Sequence, residues 1–284
     1  MPRRRAGFGQ VRRQDAGAAQ VAATPSREDL SRICGMAAVA ALFSRGPERI
    51  ERLFFTEAMR GPADRLCRHL AQARKPYRQV DAAELARIAG TPMHGGIVAI
   101  ARPRPVLPFD AGEARGWASR VPLLLVLDGV GNPHNLGAIV RTAAFFGLDR
   151  LVISDHPAQA GPSDAAYRVA EGGLEHVQLY RATRLPAALR RLSGAYRVVA
   201  TALGRGRSLE TMPRDRPVAL VLGNEEAGLR RETIASCDEI ATIPGAGLIQ
   251  SLNVSATAAI LIHALARNAA AGRDMMPGAG RAAG

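Results

Sequence analysis

Strands and helices alternate along the second half of the chain, and this alternation limits the possible folds more than any other feature of the sequence. Residues 122–130, PLLLVLDGV, form a nearly unbroken apolar run, as expected for a strand that is buried on both faces of a sheet. Helix-like and strand-like segments then follow in turn, ending in an apolar helix after QSLNVS. The pattern predicts an α/β fold whose mostly parallel sheet is covered by helices on both faces.

A smaller α/β unit is predicted upstream. Residues 27–46 are interpreted as a helix ending at Gly46, and residues 49–56, RIERLFFT, as a strand. A helix, a short strand, a helix and the closing strand GGIVAIARP complete it. The expected organisation is a disordered basic arm at 1–26, a small α/β substrate-binding domain at 27–103, a Pro- and Gly-rich linker at 104–118, the larger α/β domain at 119–271 and a flexible tail at 272–284.

The chain is strongly basic, with 38 Lys and Arg against 25 Asp and Glu and a net charge of +13. Lys75 is the only lysine. A GC-rich genome accounts for that preference for arginine but not for the sign of the charge. An excess of this size indicates a polyanionic partner, and nucleic acid is the commonest one.

The three cysteines are Cys34, Cys67 and Cys237, and no CxxC spacing occurs. The sequence therefore predicts neither a disulfide framework nor a metal site. No apolar run approaches the roughly 18 residues that cross a bilayer, so no membrane partner is expected. The basic start of the chain lacks the apolar core of a secretion signal, and a cytoplasmic location is predicted.

Polar loops follow three of the predicted strands, and ligands of parallel sheets bind where the strands end. In the first loop we expect Asn135 to cap the helix that it precedes. Arg141 is four residues after Gly137, so it is expected on the same helix face, above the gap left by the glycine and able to reach an anion. The plain alternative is a capped helix with a solvated arginine.

The second loop follows a buried strand that ends at Gly223. Glu225 and Glu226 come next, and neighbouring residues in a loop cannot both face one site, so at most one of them is expected to be functional. The alternative is an acidic helix N-terminus favoured by the helix dipole.

The third loop places Ser251, Asn253 and Ser255 at the start of the final apolar helix. Helix capping explains one of these polar residues but not all three. Neither GxGxxG after a strand nor GxxxxGK[ST] occurs, which removes the main support for a dinucleotide or nucleoside triphosphate site.

Taken in order, the segments NPHNLGAIVRTAAFFG, LVLGNEEAGL and IPGAGLIQSLNVSATAAI resemble the three signature motifs of the SpoU/TrmH family of RNA 2′-O-ribose methyltransferases, within the SPOUT superfamily. The resemblance covers residues 119–268, and residues 28–103 resemble the substrate-binding domain that many members carry upstream. RVAEGGLEHVQL at 168–179 is similar to the YfiF-like branch, and Gly245 stands where members commonly have Met.

This resemblance implies a deep trefoil knot in the C-terminal part of the sheet, a rare exception to the rule against knots. It also implies a homodimer with its site at the subunit interface, the donor S-adenosyl-L-methionine, and rRNA or tRNA as the substrate. By motif, the donor is held by the backbone of Thr201, Leu222, Gly223, Ile243 and Leu252. The implied catalytic residues are Asn135, Arg141, Glu225, Ser251 and Asn253.

The part played by Arg141 has two readings. The family's proposed base is the matching arginine, yet a guanidinium in a protein stays charged. Arg141 would then clamp the neighbouring phosphate and stabilise the forming alkoxide, while Ser251 or a water held by Glu225 relays the proton. Two other functions stay open, a non-catalytic RNA-binding protein that keeps the knotted fold, and a methyltransferase acting on a small molecule or a protein.

Overall fold

The computed structural model describes residues 30–204, 206–208, 211–213 and 215–274. The basic arm predicted for residues 1–26 lies outside the described residues, and so does the part of the predicted tail at 275–284. Among the described residues, no helix has both the length and the apolarity needed to cross a membrane.

The small unit is a four-stranded sheet with three helices. Its elements are β1 (Ser31–Cys34), α1 (Met36–Arg45), β2 (Ile50–Phe55), α2 (Arg60–Gln72), β3 (Tyr77–Gln79), α3 (Ala82–Ala89) and β4 (Ile97–Ala101). The strand order is β1-β4-β2-β3, with β4 antiparallel to both of its neighbours. The helix predicted for residues 27–46 is wrong in its first part, because Ser31–Cys34 pairs with β4. Gly35, at φ 88°, makes the break before α1 begins at Met36.

The large unit is built on an eight-stranded sheet in the order β10-β12-β9-β11-β6-β7-β8-β5. Its elements are β5 (Leu107–Pro108), α4 (Ala111–Arg115), β6 (Leu123–Asp128), α5 (Pro133–Phe145), β7 (Arg150–Ser154), α6 (Asp164–Ala170), α7 (Gly173–His176), β8 (Gln178–Ala182), α8 (Leu185–Leu192), β9 (Arg197–Thr201), β10 (Arg207–Ser208), β11 (Val218–Gly223), α9 (Arg231–Ile234), β12 (Glu239–Thr242) and α10 (Val254–Asp274). All of its strand pairs are parallel, which confirms the predicted α/β class with a parallel sheet. The trefoil knot stays a prediction.

Two parts of the large unit differ from the sequence interpretation. The segment 104–118, expected to be a linker, carries β5 and α4, and β5 pairs with β8. Trp117 is buried against the apolar cluster on that side of the sheet. The elements α6, α7 and β8 between residues 164 and 182 were not predicted, since each is short and their apolar residues follow no clear period.

The two central strands set the level at which the loops meet. Every residue of β6 and β11 is buried, and the strands pair from Leu123 with Val218 to Asp128 with Gly223. Both strands therefore end at the same height. The loops that follow them, after Asp128 and after Gly223, emerge side by side at the carboxyl edge of the sheet.

The small unit packs against α6 and α7 of the large one, through both apolar and charged contacts. One continuous cluster of buried side chains includes Ile33 and Leu42 from the small unit and Tyr167 from α6. Arg49 forms an ion pair with Glu175, whose side chain is almost fully buried. Burial raises the pKa of the Glu175 carboxyl, even with the cations of Arg49 and Arg104 beside it.

Candidate active site

Three side chains from three separate loops form one hydrogen-bonded group at the carboxyl edge. Asn135 donates from Nδ2 to Glu225 Oε1 at 2.7 Å, and Asn253 donates from Nδ2 to Asn135 Oδ1 at 3.1 Å. Asn135 is buried, while Glu225 is half-buried. The structure thus brings together three of the five residues that the resemblance implied as catalytic.

The sequence interpretation expected Asn135 to cap α5, but the cap residue is Asn132. The Asn132 side chain accepts a hydrogen bond from the backbone N–H of His134, and Pro133 occupies the first helical position. Asn135 therefore lies inside the first turn of α5, and its amide is free to serve the site.

Glu225 lies in a tight turn and not at a helix N-terminus, so that alternative is wrong. Asn224 and Gly228 exchange backbone hydrogen bonds of 3.1 and 3.0 Å across the turn. The turn exposes Glu226 and directs Glu225 toward Asn135 and the backbone N–H of Gly131, which lies 3.4 Å from Glu225 Oε2. Of the two neighbouring glutamates, only Glu225 joins the group.

Asn253 caps the final helix and contacts the site with different atoms of one carboxamide. Its Oδ1 accepts from the backbone N–H of Ser255 at 2.8 Å and from the hydroxyl of Ser255 at 2.6 Å. Its Nδ2 is left to donate to Asn135. Ser251 is exposed, and within the described part of the chain it makes no hydrogen bond to this group.

Arg141 does not join these residues. It lies in the third turn of α5, about 120° around the helix from Asn135, and its Nη1 is 2.9 Å from Glu171 Oε1. The expected gap above Gly137 is also absent, because a Cβ there would lie 2.6 Å from the carbonyl oxygen of Ala166. Gly137 allows α5 and α6 to approach closely and leaves no space for a ligand.

Four of the five residues expected to hold the donor lie at or directly after the ends of neighbouring strands, and the fifth lies just before the start of the last helix. Thr201 ends β9, Leu222 and Gly223 end β11, Ile243 follows β12 and Leu252 precedes α10. The β12-β9-β11 order makes these strand ends adjacent. The nearby loop exposes apolar side chains, with Leu248 at 91% and Ile249 at 72%. The edge therefore offers backbone groups next to apolar surface.

Sequence reasoning missed two buried residues that hold the first loop. Gln159 accepts from the N–H groups of Gly129 and Val130 at 2.9 and 3.2 Å and donates to the Val130 carbonyl at 3.1 Å. Asp128 accepts from the hydroxyl of Thr233 at 2.7 Å and pairs with Arg230. An aspartate closing an apolar strand was a visible signal for Asp128. Gln159 gave none, because it belongs to a different loop.

Metal coordination gains no support from the described residues. No group of three or more His, Cys, Asp or Glu side chains that could hold a metal ion occurs among them.

A parallel sheet with three polar loops gathered at its carboxyl edge defines the class of α/β proteins whose ligands generally bind at the strand ends. Comparison with models of known protein families identifies the family to which the chain belongs. The SpoU rRNA methylase family matches residues 122–263, and the RNA 2′-O ribose methyltransferase substrate-binding family matches residues 32–107. The chain belongs to the SpoU rRNA methylase family, which confirms the family predicted from the three loops.

Relatives with curated names extend this similarity over most of the chain. The 23S rRNA (guanosine-2′-O-)-methyltransferase RlmB of Acinetobacter baylyi is 33% identical over 241 residues, covering 82% of this chain and 95% of its own. The uncharacterised tRNA/rRNA methyltransferase YfiF of Escherichia coli O157:H7 is also 33% identical, covering 83% of this chain and 68% of its own.

Solved structures share the fold. An AdoMet-bound rRNA methyltransferase from Sinorhizobium meliloti superposes with a TM-score of 0.70 at 24% identity, over 85% of this chain and 88% of its own. The SpoU methyltransferase AviRb from Streptomyces viridochromogenes, in complex with AdoMet, gives a TM-score of 0.68 at 22% identity, over 87% and 93% of the two chains.

Proposed function

We propose that this protein methylates the 2′-hydroxyl of a ribose in RNA, with rRNA as the favoured substrate and S-adenosyl-L-methionine as the donor. The observation that carries the proposal is the hydrogen-bonded group of Asn135, Glu225 and Asn253, which lies within the segment that matches the SpoU methylase family. The RlmB relatives, named as 23S rRNA methyltransferases, support rRNA over tRNA.

The donor fits the carboxyl edge of the sheet. S-adenosyl-L-methionine supplies an electrophilic methyl group on a sulfonium. Backbone groups at Leu222, Gly223 and Ile243, together with Thr201 and Leu252, would hold it. The exposed apolar side chains of Leu248 and Ile249, in the loop between β12 and α10, suit the uncharged face of the adenine ring. The AdoMet-bound structures with the same fold agree with this choice.

The reaction is an in-line displacement. The ribose O2′ forms a bond to the methyl carbon while the carbon–sulfur bond breaks, and the electron pair of that bond stays on sulfur in S-adenosylhomocysteine. The proton of the 2′-hydroxyl must leave, because the hydroxyl itself is a weak nucleophile. Glu225 takes it through a water or through Ser251, and the hydrogen bonds from Asn135 and Gly131 keep the Glu225 carboxylate oriented.

Arg141 serves as a clamp on phosphate and alkoxide oxygens in this proposal. A guanidinium stays protonated in a protein, so binding and charge stabilisation are its available roles. Its fork of N–H donors matches a phosphate group in two places at once.

A homodimer completes the site. Arg141 faces away from the Asn135 group of its own chain, so a second copy would have to present it. Phe145 at the end of α5 is 83% exposed, and Ile260 on α10 is 46% exposed. Exposed apolar side chains on two packed helices suit an interface between copies.

We place the protein in the cytoplasm, where RNA of this kind is modified.

The small unit, residues 27–103 in the proposed division, would bind the RNA. Its helix α2 exposes three arginines, at positions 60, 65 and 68, and a fourth exposed arginine, Arg74, follows the helix. An affinity for RNA that falls steeply with salt concentration would reveal the phosphate contacts.

The test is transfer of labelled methyl from S-adenosyl-L-methionine to total RNA from a strain that lacks this gene, followed by digestion to nucleosides. The expected result is label in a 2′-O-methylated nucleoside within an rRNA size class. Label in tRNA alone would show that tRNA, and not rRNA, is the substrate. Absence of both incorporation and donor binding would favour the non-catalytic RNA-binding protein, which keeps the fold and lacks the reaction.

A further inference from the structure

We propose that Glu171 is a positioning residue for Arg141, and that docking of the small unit holds it in place. The inference rests on the proposed function, because it assigns Arg141 a part in methyl transfer. The observations that carry it lie outside the three motif loops, in residues 171–173, which comprise the turn after α6 and the first residue of α7. We call this segment the Glu171 turn.

The ion pair between Arg141 and Glu171 is the first observation. Arg141 Nη1 lies 2.9 Å from Glu171 Oε1, and the two side chains keep 56% and 53% of their surface exposed. An exposed arginine without a partner samples many rotamers, and a carboxylate within reach of its fork restricts them. The exposed remainder of the guanidinium stays available to a phosphate.

The backbone of Glu171 is the second observation. Its φ of 44° and ψ of 46° lie in the left-handed region, which disfavours any residue that carries a Cβ. Residues held in such conformations persist where the surroundings fix them. The conformation of Glu171 is therefore imposed by what surrounds the turn.

Two glycines show what surrounds it. A Cβ on Gly172 would lie 3.0 Å from the Cβ of Ala41 in the small unit. A Cβ on Gly173 would lie 3.2 Å from the Cα of Arg141. The Glu171 turn thus packs tightly between helix α1 and the backbone of Arg141 itself, and a side chain on either glycine would crowd these neighbours.

Charged contacts between the two units flank the turn. Before it, Arg32 donates from its backbone and its Nη1 to the carboxylate of Asp164, both at 2.8 Å. After it, Arg49 pairs with the buried Glu175. The small unit therefore contacts the chain on both sides of the turn that pairs with Arg141. These contacts fix the Glu171 turn before any RNA binds to the small unit.

The test compares Glu171→Gln with the control Asp64→Asn. Each removes one carboxylate from an exposed ion pair with arginine, since Asp64 lies 2.9 Å from Arg68 on α2. The measurement is the single-turnover rate at saturating rRNA and donor. An exposed pair is worth up to about 1 kcal/mol, so we expect Glu171→Gln to be about three- to fivefold slower than Asp64→Asn. RNA and donor affinities of Glu171→Gln should match those of the natural protein.

A double-substitution cycle with Arg141→Lys separates positioning from general structure. Glu171→Gln should add no further slowing once Arg141 is replaced. Equal rates for Glu171→Gln and Asp64→Asn would overturn the inference. A faster Glu171→Gln enzyme would overturn it too, because Glu171 would then be shielding Arg141 from phosphate.

A measurement that does not depend on methyl transfer tests the inference separately from the proposed function. The order of the Arg141 side chain is measured by ¹⁵N relaxation of its Nε–Hε group, assigned through Arg141→Lys. Glu171→Gln should lower that order and Asp64→Asn should leave it unchanged. If the natural protein methylates no RNA, the proposed function fails, and this measurement still decides whether Glu171 fixes Arg141.

Discussion

Asn253 donates a hydrogen bond to Asn135 across 3.1 Å, and this contact joins the start of the last helix to the first turn of α5. The two residues are 118 positions apart in the chain. The other end of the Asn253 carboxamide caps α10 through Ser255. One side chain therefore serves stability and the site through separate atoms, and substitutions can separate the two roles.

Asn253→Ala should lose both roles, and Asn253→Ser only one. Serine caps a helix about as well as asparagine, while alanine costs about 1 kcal/mol of unfolding free energy. The serine side chain is too short to reach Asn135 with a donor. We expect turnover to fall about tenfold or more in both variants, with RNA affinity little changed and only the alanine variant less stable. Single-turnover rates and thermal unfolding check this. A serine variant with full turnover would reduce Asn253 to a helix cap.

Glu225→Gln should slow methyl transfer, with Glu226→Gln as its control. Both substitutions remove one charge from the same turn, but only Glu225 contacts Asn135 and Gly131. Proton transfer by a positioned group contributes on the order of 10²-fold or more, so we expect a loss of about that size for Glu225→Gln. Glu226→Gln should stay within about twofold of the natural protein. Similar rates for the two variants would contradict the role of Glu225.

Glu175→Ala should destabilise the whole protein. It leaves the guanidinium of Arg49, whose side chain is only 12% exposed, without its carboxylate at the junction of the two units. Breaking a buried pair on one side costs about 3 kcal/mol, whereas an exposed pair is worth less than about 1 kcal/mol. Asp164→Asn, which breaks the exposed pair with Arg32, is the matched control. Denaturant unfolding at pH 7 measures both, and equal midpoints would show that the Arg49 pair adds nothing.

The cysteines should react slowly in the folded protein. Burial raises the pKa of the Cys34 thiol to about 11 and that of Cys237 to about 12, and it also raises the pKa of Cys67. At pH 8 only about a thousandth or less of the Cys34 and Cys237 thiols would be thiolate, the reactive form. Labelling by a disulfide reagent should be slow at pH 8, speed up as pH rises and become fast on unfolding. Rapid labelling of all three thiols in the native protein would contradict this.

The central strands were predictable because a strand buried on both faces leaves a plain signal in the sequence. The runs at 123–127 and 218–223 carry no polar side chain, and both form strands as expected. The strand Ser31–Cys34 was missed because it has four residues and lies one glycine before a helix. The pairing of Leu107 with Tyr180 depends on a contact 73 positions away in the chain, which no local pattern reports.

The site was predictable as three loops, and less so atom by atom. Pro133 favours the first helical position, so the sequence held the signal that Asn132, and not Asn135, is the cap. The ion pair between Arg141 and Glu171 depends on how α5 packs against α6, which the spacing of residues does not reveal. The family resemblance named Asn135, Glu225 and Asn253, and the structure shows the hydrogen bonds that join them.

Both outer strands of the large sheet are only two residues long. One of them, β5, contains Pro108, which has no N–H to offer a further strand. Parallel sheets assemble slowly because their contacts are distant in sequence, and open edges invite chains to join during that time. The segment 104–118, which the sequence interpretation took for a linker, thus supplies the edge strand that covers β8. A fragment of the large unit that began at residue 119 would leave β8 uncovered, and it should aggregate where a fragment beginning before Leu107 would not.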